Sequence, residues 1–163
     1  MVDNPYLTAH FTLAELIRSQ HRTIDNTPTS EVVYRLTQLC VWLLEPIRSQ
    51  FGAMWVDSGY RCPELNLAVR GSGLGDVTSP KASAHMFGCA ADLIPLAHGV
   101  EIDAVVAWLS VSGLPFDQVI DEASPTSRWL HVGIVRPGFE SRARKELLVM
   151  RNGVYIDWHE VTP

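Results

Sequence analysis

Phe116-Asp117-Gln118-Val119-Ile120-Asp121 and Trp129-Leu130-His131-Val132-Gly133-Ile134-Val135 are two runs of strand-forming residues joined by a polar turn over 124–127. β-Branched and aromatic residues fit a pleated, half-buried surface, and so short a connection makes the two runs antiparallel neighbours. Downstream, ELLVMRNGVYID (146–157) carries Asn152-Gly153 at its centre, a dipeptide suited to a two-residue hairpin turn. Upstream, residues 91–95 (ADLIP) and 54–58 (MWVDS) read as further short strands.

The helical signals cluster nearer the start. Thr12 followed by Glu15 fits a capping box and predicts a short helix over 12–20. Residues 22–29 are turn-rich. Val33, Leu36, Leu39, Cys40, Leu43, Leu44 and Ile47 recur at three- and four-residue spacing, which predicts a helix from Ser30 to Gln50. Pro46 is placed to kink it and Gly52 to stop it. Pro63 opens a short helix reaching Val69, and residues 101–112 form another. Residues 70–82, rich in Gly, Ser and Pro, are a loop long enough to expect a role for it. The sum is an α+β fold: a single domain over 1–163, with helices packed on a small antiparallel sheet.

At 163 residues the chain can bury a full core. Its net charge is −5, and its one basic cluster is Arg142, Arg144 and Lys145, read as solvated surface. That pattern speaks against nucleic acid as a partner. No apolar run is long enough to span a membrane. The start, MVDNPYLTAHFTLAEL, lacks a signal peptide's basic and apolar regions, so synthesis in the cytoplasm is expected. Cys40, Cys62 and Cys89 make an odd count without C-x-x-C spacing, so buried thiols are expected ahead of a disulfide or thiolate ligand at Cys62 and Cys89.

Chemistry concentrates in Ser83-Ala84-His85-Met86-Phe87-Gly88-Cys89-Ala90-Ala91-Asp92. An imidazole and a carboxylate stand seven residues apart with small residues between them. Gly88 permits a tight turn or close backbone approach. Asp92 opens an apolar strand, where a charge costs several kcal/mol unless it is paired or bound to metal. His131 sits mid-strand on the face shared by Trp129 and Gly133. Two histidines and a carboxylate, with a fourth position open, are a common catalytic zinc set.

SGYRCPELN (58–66), S-x-H-x-x-G-x-A-x-D (83–92), FDQVIDE (116–122) and WLHV (129–132) together resemble the M15 zinc peptidases. That family comprises D-alanyl-D-alanine carboxypeptidases and peptidoglycan endopeptidases, and the likeness is to its compact, phage-type branch. The resemblance implies a fold of the hedgehog and DD-peptidase type and Zn²⁺ held by His85, Asp92 and His131. It implies catalytic roles for Glu122 and Arg61, with Arg61, Ser83 and Gln118 binding substrate. The implied partner is a peptidoglycan stem peptide or cross-bridge, met by a monomer. The wall would be reached through a holin or aboard a virion. An alternative is a zinc-bound structural or wall-binding domain without turnover. The chain departs from the pattern twice. Arg128 stands where better-known branches carry the general base, which leaves Glu122 ahead of Asp117 and Asp121. The loop after Asn66 is longer than usual.

Overall fold

The computed structural model describes residues 5–139 and 143–161. Its helices are α1 (Leu13–Ile17), α2 (Ser30–Leu39), α3 (Glu45–Phe51), α4 (Pro63–Ala68), α5 (Ile102–Val111) and α6 (Trp158–Val161). Its strands are β1 (Met54–Ser58), β2 (Ala90–Pro95), β3 (Gln118–Ala123), β4 (Arg128–Gly133), β5 (Glu146–Arg151) and β6 (Val154–Asp157). The strands form one sheet in the order β1-β2-β4-β3-β5-β6. The architecture is α+β, as expected.

Both helix signals near the start hold. Thr12 and Glu15 form the reciprocal capping box of α1. The long helix runs from Ser30 to Phe51, but Cys40–Leu44 between α2 and α3 is a π-type turn whose closing bond runs from the Glu45 N–H to the Cys40 carbonyl. Pro46 explains it: proline has no N–H for the carbonyl four residues back and its ring presses on that group, and a widened turn accommodates both. The helix therefore continues through Pro46, and Leu36, Leu39, Leu43, Leu44 and Ile47 all stay buried.

The sheet departs from the antiparallel expectation at one pair, β3 with β5, which is parallel. The chain leaves β4, passes over β3 and pairs on its far side. A strand that reverses direction but skips its predecessor necessarily lies parallel to the one before that. The hairpin β5–β6 turns on Asn152 and Gly153, both at positive φ.

Direct pairing puts Asp92 opposite His131, Ile120 opposite His131, Glu122 opposite Trp129 and Gln118 opposite Gly133. Opposed residues project to the same side, so these side chains share one face. Leu93, Val119, Leu130 and Val132 occupy the other, inside the apolar core with α2 and α5.

Candidate metal centre

Three segments bring His85, Asp92 and His131 together. Asp92 and His131 are opposed on β2 and β4. His85 arrives on a 3-10 turn, Ala84–Phe87, capped by the Ser83 hydroxyl and closed by Gly88 in the left-handed conformation. A Cβ at Gly88 would lie 2.9 Å from the Val32 carbonyl oxygen, so glycine serves both the turn and its seat on α2. Arg35 of α2 donates to the Phe87 carbonyl at 2.6 Å and fixes the same turn from that side.

The Nδ1 of His85 lies 2.6 Å from the Gly59 carbonyl oxygen. A carbonyl only accepts, so Nδ1 carries the proton and the Nε2 lone pair is left to face the other two residues. His85 Nε2 is 3.2 Å from His131 Nδ1 and 3.3 Å from Asp92 Oδ1, and the last two atoms are 2.9 Å apart. A tetrahedral ion with bonds of 2.0–2.1 Å would hold its ligands about 3.3–3.4 Å apart. The triangle is close to that size, and its donors are the nitrogen and oxygen types that zinc takes. All three side chains are buried.

Protonation suits the same use. Burial pushes the His85 imidazole down to about 4, so it is neutral at pH 7. Burial pushes Asp92 upward, but the two imidazoles beside it outweigh this and hold it below the usual carboxylate range. The second oxygen, Oδ2, accepts from Arg61 Nη2 at 3.1 Å. Arg61 thus braces the carboxylate from outside while facing the cleft.

The SGYR stretch is shaped by α1. A Cβ at residue 59 would come within 2.2 Å of the Leu16 carbonyl oxygen, to which the Tyr60 N–H donates at 2.6 Å. Asn26, in the turn-rich stretch, ties the Ile17 and Tyr60 carbonyls and the Cys62 N–H together. Nothing in the sequence singled out Asn26 or the Gly59 carbonyl, because the first binds only backbone atoms and the second is one.

The centre opens into a cleft of about 650 Å³. The sheet contributes Gln118, Ile120, Glu122, Trp129, Leu148 and Tyr155 to its lining, and the two ends of the 70–82 loop contribute to a second side. Asn66 carries that loop by donating to the Ser72 and Leu74 carbonyls, and Arg136 holds it by donating to those of Pro80 (3.1 Å) and Ala82. Burial raises the Glu122 carboxyl and Asp92 pushes it the same way, while His131 and Arg61 oppose them.

A family model described as Peptidase M15 matches residues 9–132. The chain belongs to the peptidase M15 family. It is a hydrolase of a zinc-dependent family, and its His-Asp-His group has the geometry to bind a metal. A comparison with curated proteins found no match. The match ends one residue after His131, so Arg136, Arg144 and Tyr155 of the cleft lie beyond the part that defines this M15 chain.

The candidate residues of the M15 reading fall as follows. Arg61, Ser83, Gln118 and Glu122 all line the cleft with the three ligand candidates. Ser83 also shapes the turn, and Gln118 donates to Glu146 at 2.8 Å. Asp117 and Asp121 do not reach the cleft. Asp117 is held by Arg144, and Asp121 by Arg128 and Arg151. Arg128 itself faces the far side of β4, bridging Asp121 and Asp103. The described part of the basic cluster is exposed, as expected, but also has set partners: Arg144 binds buried Asp117 and borders the cleft, and Lys145 donates to the Leu114 carbonyl, while Arg142 lies outside the described residues. Cys40, Cys62 and Cys89 are buried and outside the ligand group, and the Cys62 sulfur caps α4. His159 is exposed and also outside it.

Proposed function

We propose that this chain is a zinc peptidase that hydrolyses amide bonds in peptidoglycan peptides, working as one M15-type domain. The observation that carries the reading is the buried triangle of His85 Nε2, Asp92 Oδ1 and His131 Nδ1 at the base of a cleft with Glu122 on its wall. Zinc held there supplies Lewis acidity toward a carbonyl oxygen and makes water easier to deprotonate.

The residues divide the remaining work. Gly59 and Arg61 fix the orientation of two ligands from outside the metal shell. Glu122 takes a proton from the attacking water and returns it to the leaving amine, a role suited to a carboxyl raised by burial. The guanidinium of Arg61 stays charged and is placed to engage a carbonyl or carboxylate of the substrate beside Asp92. Ser83 and Gln118, both in the cleft lining, offer hydrogen bonds to the peptide backbone. Ile120 and Leu148 give it an apolar floor.

The test is incubation of zinc-loaded protein with purified peptidoglycan, followed by mass analysis. Release of stem or cross-bridge fragments identifies an endopeptidase of the endolysin type, and loss of terminal D-alanine alone identifies a carboxypeptidase. Zinc-loaded protein that releases neither would instead be a wall-binding domain without turnover.

A further inference from the structure

The cleft and the whole chain differ in charge. The chain carries −5 overall, yet Arg61, Arg70, Lys81, Arg136 and Arg144 line the cleft against Asp92, Glu122 and Glu146. Arg61 is matched by Asp92, and Arg144 by Asp117 and Glu146. Among the described residues, Arg70, Lys81 and Arg136 have no carboxylate partner. The two loop residues are exposed, and Arg136 spends two N–H groups on the Pro80 and Ala82 carbonyls, which do not neutralise its charge. Asp76, the only acid of the loop, is turned on to the Thr78 N–H and hydroxyl. The loop side of the cleft therefore carries three cations with no carboxylate paired directly to them.

We propose that Arg70, Lys81 and Arg136 form an anion subsite on the loop wall that reads a carboxylate of the peptide away from the bond that is cut. The inference rests on the peptidase reading for the identity of the ligand. It adds a discrimination: peptides with a free acid at that position are preferred over the same peptides amidated there. Cations along a cleft that lack a paired carboxylate raise the local potential for an incoming anion. A carboxylate placed against two or three of them gains several exposed charge interactions, each modest and screened by salt.

Two stem tetrapeptides test this, identical except that the α-carboxylate of the second residue is free or amidated. Affinities are measured by calorimetry on zinc-loaded Glu122→Gln protein, which does not consume the ligand, and cleavage is followed on the wild type. The acid form is expected to bind about 3- to 30-fold more tightly at low salt. That gap is expected to shrink as salt rises, and to close in an added Arg70→Gln/Lys81→Gln pair, whose exposed positions leave the fold intact. Equal affinity for acid and amide, a gap that survives the double substitution, or no binding of either peptide overturns the subsite. Preferential binding without any cleavage keeps the subsite and removes the peptidase reading. Equal binding with cleavage of both keeps the peptidase reading and removes the subsite.

Discussion

Asp121 and Glu122 are consecutive carboxylates that the pleat of β3 sends to opposite sides of the sheet. Asp121 is fully buried and receives Arg128 at 2.7 Å and Arg151 at 2.5 Å. Glu122 enters the cleft near His131 and Asp92. Their amide variants should therefore separate stability from rate. Glu122→Gln is expected to lower kcat by about 10²–10⁴-fold with zinc content and melting temperature near wild type. Asp121→Asn is expected to retain turnover per folded molecule and to lose on the order of 1–3 kcal/mol of stability in urea unfolding, because two arginines lose a charged acceptor. An inactive Asp121→Asn beside an active Glu122→Gln would exchange the two assignments. The ligand candidates were legible because His85, Asp92 and His131 make a zinc-type donor set and fall within the motifs that carry the M15 resemblance. The choice of Glu122 over its neighbours could not be closed that way. It depends on which face of β3 turns toward His131, and that is a matter of tertiary pairing.

At the scale of elements, the amphipathic helices, the cap at Thr12 and the Asn152-Gly153 turn were legible because each is a local pattern with a local cause. The parallel placement of β5 was not, since alternation along a strand reports its faces and not its neighbours. The π-type turn was half visible: Pro46 announced a disturbance, while burial of the residues around it decided that the helix would widen and continue. The SGYR stretch shows how an element can serve the centre from outside the three candidate ligands, by holding two of them. Gly59→Ala would drive a methyl into the Leu16 carbonyl and move the Gly59 oxygen away from His85. The expected result is a lower melting temperature together with weaker zinc binding by competition with a chelator. Gly153→Ala, strained by a positive φ that Gly59 does not have but with nothing near its added Cβ, should lower stability and leave zinc affinity unchanged. Equal zinc affinity in both variants would mean that the Gly59 carbonyl does not orient His85.

For the whole molecule, protonation of the centre is tied to the stability of the fold. With the metal stripped, His85 has a folded-state pKa of about 4 against an ordinary value of 6.5. The unfolded chain therefore binds the extra proton between those values, and stability is fully present above about pH 6.5 and declines as pH falls toward 4. The span corresponds to roughly 3 kcal/mol, with Asp92, also lowered, extending the loss to more acid pH. Urea unfolding of metal-stripped protein at pH 7, 5.5 and 4.5 should show a falling midpoint, and a flat profile would deny the burial effect. Chelation at pH 7 should abolish hydrolysis and zinc restore it.

Zinc-edge X-ray absorption of protein loaded with one equivalent of zinc tests the assignment of the ion to His85, Asp92 and His131. Only nitrogen and oxygen neighbours at about 2.0–2.2 Å are expected, with imidazole scattering from two histidines that falls to one in His131→Ala. A sulfur shell near 2.3 Å, or a spectrum unchanged by His131→Ala, would contradict it.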